Sequence, residues 1–433
     1  MRDRRTLTES SLERPEGAPP RPGLLLGYFG QRALALALPL EGELVLGRDT
    51  FEALGLRDER MSREHVRVWP GRAGLRVEDL GSRNGTFVDG ERVTGPIERI
   101  VRTLRIGRSV LLPVADVGAF ERAPLQRKDG LVVGPALAAA WAEIAALSRS
   151  ATSLLILGES GAGKEAAARV YHQASAHASG PFVAVNCAAI PAGLAERVLF
   201  GARKGAYSGA TADSEGHAQA ADGGTLFLDE LGELDPAVQP KLLRLLESSE
   251  VQPLGAASPQ RITLSVCAAT HRNLRQDVKS GRFRPDLYYR IARPVVRLPP
   301  LRERLEEIPW LVWSTLEPLG GAASPTFVEQ CVLRPWPGNA RELVAEVQRA
   351  FHLARAEGRT ELDASDLDEE AGQRIDDEPE AARAAALDDA EVVRAALREH
   401  SGNVTSAARA LGVHRNQLRR WIARQGFDPR APG

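Results

Sequence analysis

The sequence predicts a multidomain protein: an all-β sandwich, then an α/β domain with an α-helical lid, then an all-α helix-turn-helix domain. The sandwich is predicted from short apolar or alternating runs that turn residues separate over residues 23–115. The α/β domain is predicted from hydrophobic strands that alternate with helical patterns over residues 127–300, as in a parallel sheet covered on both faces. Two short helical patterns around a glycine turn near the end of the chain predict the helix-turn-helix.

The domain boundaries follow from shifts in composition along the 433 residues. The first segment is charged and rich in proline, without the apolar core of a signal peptide, and is expected to be disordered. The predicted segments are a disordered arm over 1–22, the sandwich over 23–115, the α/β core over 127–300, the lid over 301–360, an acidic linker over 361–385 and the helix-turn-helix over 386–428.

Charge is distributed unevenly, although the net formal charge of −1 gives the whole chain no bulk attraction to nucleic acid. Residues 361–391 carry 13 acidic residues and 2 arginines, whereas residues 401–433 carry 6 arginines and 1 aspartate. This asymmetry is typical of an acidic linker joined to a nucleic-acid-binding end. The 3 cysteines lack metal-ligand spacing and no apolar run is long enough to span a membrane, so we expect a cytoplasmic protein without a membrane partner.

A glycine-rich loop lies between a short apolar run and an alanine-rich helical pattern. Its residues are Gly158, Glu159, Ser160, Gly161, Ala162, Gly163, Lys164 and Glu165. In this context the glycines let backbone N–H groups point at a polyphosphate, and the helix N-terminus adds positive potential. Lys164 would reach the terminal phosphates of that polyphosphate. Because Glu165 stands where Ser or Thr usually holds Mg²⁺, the metal must depend more on carboxylates elsewhere.

Two carboxylates close a later hydrophobic run. Asp229 is the natural partner of Mg²⁺, and Glu230 is the natural base that orients and polarises an attacking water. Another buried run ends at Asn186, and a third is followed by His271. Ligands bind at the carboxyl ends of parallel strands, so these side chains are expected beside the glycine-rich loop. An ordinary acidic strand exit is the alternative interpretation of the two carboxylates.

Three polar groups occur in a specific order within the predicted sandwich. Gly47-Arg48 ends one strand, Met61–His65 precedes another, and Asp79–Thr86 forms a loop before a third. This segment resembles a forkhead-associated (FHA) domain over its whole length. FHA domains bind phosphothreonine peptides through loops at one end of the sandwich.

The resemblance assigns a phosphopeptide site. It implies that Arg48 and Ser62 contact the phosphate with Arg63 and Arg83 beside them, that Asn84 holds the peptide backbone, and that His65 braces the loops. The assignment is physically reasonable because a phosphate dianion favours an arginine fork with hydroxyl and backbone donors. A sandwich whose turn residues merely satisfy one another is the alternative.

The stretch from about Leu131 to Gly358 resembles the AAA+ module of bacterial enhancer-binding proteins, which activate RNA polymerase carrying sigma-54. Three segments carry the resemblance: the glycine-rich loop, the Walker B run that ends in Asp229-Glu230, and the sensor I run around His271. The family usually has Asn in place of His271. The resemblance implies that Asn186 switches the catalytic Glu230. It also implies that Arg341, in a sensor II turn, detects the nucleotide from the lid.

Two arginines are assigned by the resemblance alone. Arg284 and Arg290 match the arginine-finger region and would reach the nucleotide of a neighbouring subunit. Catalysis would then require a homo-oligomer, from a dimer to a hexameric ring. Without the resemblance, a solvated face is an equally good interpretation, because surface exposure is the usual fate of arginine.

A second loop of the module would contact sigma-54. The family usually has Gly-Ala-Phe-Thr-Gly-Ala here, whereas this chain has Gly205, Ala206, Tyr207, Ser208, Gly209 and Ala210. The flanking Gly-Ala pairs predict a mobile, exposed turn. Tyr207 keeps the aromatic ring, and Ser208 keeps the hydroxyl but loses a methyl group. We therefore expect sigma-54 to be engaged, though more weakly.

The end of the chain resembles the Fis-type domain that closes most members of this family. Its second helix, over residues 414–424, is rich in arginine. The residues expected at base edges and phosphates are Arg415, Asn416, Gln417, Arg419 and Arg420. Leu418, Trp421 and Ile422 are expected in the core, with base stacking by Trp421 as the alternative.

The sequence thus predicts a transcription activator with an ATPase that uses ATP and Mg²⁺. Its expected partners are upstream DNA, sigma-54 RNA polymerase, a phosphothreonine-containing protein and further copies of the chain. A phospho-dependent DNA-binding repressor or scaffold, whose ATPase serves assembly only, is the competing hypothesis. A generic remodeller of nucleic acid is disfavoured because basic residues concentrate at the terminal helices.

Overall fold

A computed structural model describes residues 19–128, 130–191, 193–374 and 390–400, together with Val404, Ala407, Leu418 and Ile422. The chain divides into two compact units at Gln373. No helix within these described segments has both the length and the hydropathy that crossing a bilayer requires.

Residues 23–114 form a β-sandwich, which we call the sandwich domain. Its strands are β1 (Gly23–Phe29), β2 (Arg32–Pro39), β3 (Leu44–Leu46), β4 (Val66–Pro70), β5 (Leu75–Asp79), β6 (Thr86–Val88), β7 (Glu91–Arg92), β8 (Ile97–Arg99), β9 (Leu104–Ile106) and β10 (Ser109–Val114). One sheet has the order β2-β1-β10-β9-β6-β7 and the other β3-β4-β5-β8. A short helix, α1 (Arg48–Ala53), follows β3, and α2 (Gly118–Arg122) follows β10.

The core of the sandwich domain explains why the sequence pattern was informative. Alternating residues of β4 and β5, such as Val66, Val68 and Val77, are fully buried between the sheets. The predicted all-β fold of this segment is confirmed. Strands β7 and β8 were not predicted, because charged residues make up most of both and leave no apolar run.

The next part, residues 126–300, forms the α/β domain. Its strands are β11 (Gln126–Lys128), β12 (Leu131–Val133), β13 (Ser153–Leu157), β14 (Phe182–Asn186), β15 (Thr225–Asp229), β16 (Glu250–Val251), β17 (Gln260–Arg261), β18 (Ser265–Thr270) and β19 (Val295–Arg297). Its helices are α3 (Pro135–Ser148), α4 (Lys164–Ala174), α5 (Ala195–Phe200), α6 (His217–Ala220), α7 (Gln239–Ser248), α8 (Leu274–Lys279) and α9 (Pro285–Ile291).

The central sheet has the order β14-β15-β18-β13-β19, and all of its pairings are parallel. This confirms the predicted parallel sheet. The sequence pattern over residues 131–148 also predicts a helix that starts at Leu131, and this detail is wrong. Residues 131–133 instead pair with 126–128 in an antiparallel hairpin, and the helix begins at Pro135. Proline at the first helical position fixes that start.

Residues 301–374 form the helical lid. Its elements are α10 (Glu307–Leu316), β20 (Ala322–Ala323), α11 (Pro325–Leu333), α12 (Asn339–Ala356) and β21 (Glu361–Leu362). The acidic linker was predicted to begin at residue 361, but the chain through Arg374 is structured. Glu361 pairs with Ala322 in a two-stranded sheet, and the Asp368 N–H donates to Glu346. These long-range pairings attach the first part of the acidic run to the lid; residues 375–389 lie outside the described part.

The second unit is described mainly by α13 (Ala390–Glu399). Val393 and Leu397 lie one turn apart on α13 and are buried, as are Ala407 and Leu418. The burial of Leu418 agrees with the predicted core position. The rest of the predicted helix-turn-helix pattern lies outside the described residues.

Candidate active site

The glycine-rich loop lies between the end of β13 and the first turn of α4. Gly161 and Gly163 have φ angles of 72° and 101°, in the left-handed region that favours glycine. Gly161 also lies against the lid, because a Cβ there would meet the carbonyl oxygen of Gly338 at 2.1 Å. Glycine is therefore required both for the turn and for the close approach of the lid.

Lys164, the first residue of α4, is only 7% exposed. Its Nζ donates to the carbonyl oxygens of Gly158 at 3.2 Å and Glu159 at 3.4 Å. It also lies 3.1 Å from Oε1 of Glu230. These contacts hold the ammonium group between the loop and the end of β15, where it can bind a phosphate oxygen.

Glu230 follows β15 and interacts with two predicted site residues. Its Oε1 is paired with Lys164, and its Oε2 lies 2.7 Å from Nδ1 of His271. Burial alone would raise the pKa of Glu230, but hydrogen bonds with His271 and Lys164 outweigh burial and hold the pKa below its usual value. The carboxylate is therefore ionised at neutral pH, which is the state that a general base needs.

Asp229 ends β15, beside Glu230. Burial raises the pKa of Asp229, and the charge of Lys164 opposes that effect. A divalent cation would stabilise this half-buried carboxylate in its ionised form. Glu165 forms an exposed ion pair of 2.8 Å with Arg169. Because the described residues form no cluster of three or more metal-ligating side chains, Mg²⁺ here would need phosphate and water oxygens as well.

Asn186 and Arg341 approach the same region from the sheet and from the lid. Asn186 pairs with Asp229 in the register of β14 and β15, and its Oδ1 accepts the Ala188 N–H at 2.9 Å. Its predicted role as a switch for Glu230 stays a prediction. Arg341, in the first turn of α12, donates from Nη1 to Oγ of Ser160 at 3.3 Å.

These groups border a cavity of about 640 Å³ at the carboxyl edge of the sheet. The predicted residues on its wall are Ser160, Gly161, Gly163, Lys164, Glu165, Asn186, Asp229, Glu230 and Arg341. Trp141 of α3 and Leu131 of β12 form an apolar part of the wall. Sequence reasoning missed both, because they belong to no phosphate-binding motif.

Other predicted residues lie just outside this cavity. Ala162 is buried in the loop, with 2% exposure. Gly158, Glu159 and His271 line a neighbouring cavity of about 440 Å³. The loop and the His271 turn therefore form the partition between the two cavities.

The lid contacts the glycine-rich loop through side chains that the sequence did not identify. Arg302 donates twice to Glu159, at 2.7 Å each, and Asn339 Nδ2 donates to the Ser160 carbonyl at 2.9 Å. The sequence makes Asn339 a plausible cap of α12, but this prediction is wrong because the N-cap residue is Gly338. Asn339 has a positive φ of 55° and is fully buried, with Oδ1 accepting the Leu301 N–H. Its amide links the lid to the loop.

A buried ion pair of the lid contacts the glycine-rich loop. Arg304 and Glu307 lie 2.5 Å apart with 3% and 1% of their side chains exposed. Arg304 also donates to the Ala162 carbonyl at 3.0 Å, and Glu307 accepts the Gly134 N–H at 2.8 Å. The pair therefore connects the lid, the loop and the start of α3.

The predicted arginine fingers do not face the cavity of their own chain. Arg284 forms an exposed ion pair of 2.7 Å with Asp286, and Arg290 donates to the Leu246 carbonyl. Neither lines the cavity of the described chain. A role in this cavity would need another subunit.

The loop over residues 205–210 closes into a tight turn. Gly205 N–H donates to the Ala210 carbonyl at 2.9 Å, and Ala210 N–H donates to the Tyr207 carbonyl at 3.0 Å. Ser208 is exposed at the tip. The Tyr207 hydroxyl accepts a 2.8 Å hydrogen bond from Arg197 of α5. The Tyr for Phe difference therefore adds an anchor to the loop.

At one end of the sandwich domain, loops bring most of the predicted phosphopeptide residues together. Arg48 donates to the carbonyls of Glu59 and Met61. Ser62 Oγ accepts the Arg83 N–H at 3.2 Å, and Asn84 Nδ2 donates to the Arg60 carbonyl at 2.6 Å. Arg63, Arg83 and Asn84 are exposed. Exposed arginines beside a hydroxyl group are suited to bind a phosphate.

His65 braces these loops, as expected. It is fully buried, with Nδ1 accepting the Ser62 N–H at 3.2 Å and Nε2 lying 3.1 Å from the Gly85 carbonyl. Burial lowers the pKa of His65, so the imidazole is neutral at neutral pH.

The predicted DNA-contacting residues lie outside the described residues; they are Arg415, Asn416, Gln417, Arg419 and Arg420.

Three family descriptions match separate parts of the chain. They are "FHA domain" over residues 44–103, "Sigma-54 interaction domain" over residues 132–297 and "Bacterial regulatory protein, Fis family" over residues 388–424.

Similar curated proteins carry names of transcription regulators. The hydrogenase transcriptional regulatory protein HoxA of Cupriavidus necator is 40% identical over 309 residues, which cover 66% of this chain and 63% of HoxA. The nitric oxide reductase transcription regulator NorR2 of the same organism is 37% identical over 371 residues, which cover 77% of this chain and 69% of NorR2. The chain thus spans less than two thirds of the length of HoxA.

A solved structure has a similar fold over 70% of its chain. The crystal structure of NtrX from Brucella abortus in complex with ATP has a TM-score of 0.52 and 30% identity, and the likeness covers 70% of each chain. The sequence identity with NorR2, the three family matches and this fold agree with one another. The chain therefore belongs to the sigma-54-dependent transcriptional regulators, as a member that carries an FHA domain and a Fis-type helix-turn-helix domain.

Proposed function

We propose that this protein activates transcription by sigma-54 RNA polymerase, using ATP hydrolysis to drive open-complex formation from an upstream DNA site. The observation that supports this function best is the pairing of two features on one α/β domain. One is the cavity with Lys164, Asp229 and Glu230 on its wall. The other is the exposed turn at Tyr207 and Ser208.

The residues on the cavity wall suit phosphoryl transfer to water. Lys164 would bind the terminal phosphates while the loop N–H groups hold the rest of the polyphosphate. Glu230, ionised because His271 and Lys164 keep its pKa low, would orient and polarise the attacking water. Mg²⁺, held by Asp229 and the phosphates, would neutralise charge that develops on the phosphoryl oxygens. Arg341 would contact the nucleotide from the lid.

We infer that the arginine fingers complete this site between subunits. Separately inactive Arg290→Ala and Glu230→Gln proteins should then regain ATPase activity when they are mixed, because mixed rings contain interfaces where an intact Arg290 faces an intact Glu230. The measurement is phosphate release across mixing ratios, with mixed rings verified by differential tags. Each variant mixed with itself is the control. No recovery in verified mixed rings would contradict action in trans.

The sigma-54 contact is proposed at the turn around Ser208. Compared with Thr, Ser lacks one methyl group, which is worth at most about 0.8 kcal/mol if it is buried against the partner. The Arg197 anchor holds the Tyr207 ring in place, at a centroid distance of 5.1 Å from the guanidinium. An anchored ring loses less conformational freedom on binding, so the missing methyl group is partly offset.

We therefore expect the wild type to co-elute with sigma-54 in an ATP transition-state-analogue complex. Ser208→Thr should bind as well or better. Ser208→Ala should bind less tightly by about threefold to tenfold, the value of one hydrogen bond. Ser214→Ala, outside the turn, serves as the matched control. Binding that is absent in wild type, and not restored by Ser208→Thr with Tyr207→Phe, would favour the repressor or scaffold hypothesis.

The whole function is tested by transcription in vitro. Sigma-54 holoenzyme, ATP and a template with the upstream site should give open complexes with the wild type and none with a non-hydrolysable ATP analogue. Open complexes without this protein, or none with it and ATP, would contradict the proposal.

We further propose that the sandwich domain binds phosphothreonine through the loops around Arg48 and Ser62. In the full-length chain, Arg48→Ala should weaken binding of phosphothreonine peptides by about 1.5–3 kcal/mol, the range for a charged hydrogen bond. Fluorescence anisotropy with a phosphopeptide library, and with the unphosphorylated library as the control, measures the effect. Arg76→Ala, in an exposed ion pair with Glu98, is the matched variant. Undiminished binding by Arg48→Ala would place the site elsewhere.

A further inference from the structure

One face of the sandwich domain is covered by the lid of the same chain. Apolar residues of β1 and β10, including Leu25 and Leu112, form one buried cluster with Val328 and Val332 of α11. Tyr28 is fully buried, and its hydroxyl donates to the Ala323 carbonyl of the lid at 2.8 Å. The sandwich domain therefore shares a hydrophobic core with the lid, which a domain on a free tether would not.

A buried carboxylate marks this contact. Glu329 of α11 is 1% exposed, and its Oε2 lies 2.6 Å from Nε of Arg105. Its Oε1 accepts hydrogen bonds from the Thr103 hydroxyl at 3.2 Å and the Gly90 N–H at 3.3 Å. Among the described residues, every hydrogen-bond partner of this carboxylate comes from the sandwich domain. Removing one partner of a buried ion pair is costly, because a charge is left buried without compensation.

A second arginine holds the end of the same helix. Arg102 donates to the carbonyls of Val332 and Leu333, the last two residues of α11, at 3.2 and 3.0 Å. These carbonyls have no partner within the helix, and a cation at a helix C-terminus is stabilising. The Asp89 carboxylate fixes Arg102 by accepting its backbone N–H at 2.8 Å.

The opposite part of the lid contacts the glycine-rich loop. Arg302 and Asn339 hold Glu159, and Arg341 reaches Ser160. The lid thus lies between the sandwich domain and the nucleotide cavity. Because the lid helices pack on one another in a single core, a shift at α11 would move these loop contacts.

We propose that the sandwich domain stays packed against the lid, and that the contact of Arg105 with Glu329 holds the lid in the position that binds nucleotide. This inference rests on the proposed ATPase. It makes the sandwich domain a requirement for nucleotide binding rather than a detachable sensor. Asn84 of the proposed phosphopeptide site and Gly90, which donates to Glu329, lie on either side of β6 in the chain.

The first test asks whether the two parts hold together without a covalent link. A protease site is inserted after Ala123, in the segment that joins them, and the full-length chain is cleaved. The two fragments should co-elute in size-exclusion chromatography and keep their affinity for a fluorescent ATP analogue. The proposal would be overturned if the fragments separated and the C-terminal fragment, which carries the α/β domain and the lid, bound the ATP analogue with unchanged affinity.

The second test uses a double-mutant cycle on the uncut chain. Arg105→Met and Glu329→Gln should each weaken binding of the fluorescent ATP analogue by about tenfold, and the double variant should be no worse than either. Arg105→Lys should recover part of the affinity, and Arg76→Met, which removes an ion pair with Glu98 inside the sandwich domain, should have no effect. Folded single variants with wild-type affinity would overturn the proposal. If wild type bound the ATP analogue but did not hydrolyse ATP, the proposed ATPase activity would be contradicted. Both tests of the lid would remain valid, because they measure nucleotide binding.

Discussion

Replacing Glu230 with glutamine is expected to leave ATP binding intact and to reduce ATP turnover by at least about a hundredfold. Glutamine has the same shape, and its carbonyl oxygen can still accept the hydrogen bond that Lys164 now donates at 3.1 Å. The amide cannot accept a proton from water, so only the chemical step is lost. Binding of a fluorescent ATP analogue and release of phosphate measure the two steps separately.

The matched control is Glu233→Gln. Glu233 lies one turn further along, paired with Arg272 at 2.9 Å, and does not line the cavity. It should retain both binding and turnover. Equal ATPase rates for wild type and Glu230→Gln would remove Glu230 from its proposed role.

The pH dependence of turnover follows from the same carboxylate. Because the pKa of Glu230 is held below its usual value by His271 and Lys164, Glu230 stays ionised across the neutral range. Activity that depends on this base is therefore retained at neutral pH and is lost only as the pH falls through the lowered pKa.

The local patterns of the sequence predicted the fold well. The strands of the sandwich domain and of the central sheet were found because burial imposes a period of two, or a continuous apolar run. The sequence predicts helix at β12, because its three apolar residues lie close to the alanine-rich run of α3. Glycine positions predicted the loop correctly, since Gly161 and Gly163 have the left-handed backbone that a phosphate-binding turn needs.

Contacts between distant parts of the chain could not be predicted. Arg302 and Glu159 are 143 residues apart, and Arg105 and Glu329 are 224 residues apart. Each of these side chains looks like part of a solvated face in the sequence, because charged residues are rarely buried. Only the packing of the lid between two domains shows that Glu329 is buried and paired.

Replacing Lys164 with alanine is expected to abolish ATP binding. The loss should be about 3–6 kcal/mol if the ammonium makes two charged hydrogen bonds to phosphate, which is roughly a hundredfold to ten-thousandfold in affinity. The measurement is titration with a fluorescent ATP analogue, alongside the melting temperature. Lys279→Ala, at an exposed lysine of α8, is the matched control and should bind normally.

Lys164 pairs with Glu230, whose other partner is His271. The loss of ATP binding could therefore come from a missing phosphate ligand or from the uncompensated charge of Glu230, and a second variant separates these two causes. If alanine weakened binding only by leaving the charge of Glu230 to repel phosphate, then Lys164→Ala combined with Glu230→Gln would bind ATP again. If Lys164 holds the phosphates directly, the double variant should bind no better than Lys164→Ala. We expect the second result, since the N–H groups of the loop cannot replace the full charge of the lysine. Restored binding in the double variant would make Lys164 a partner of Glu230 rather than a ligand of ATP.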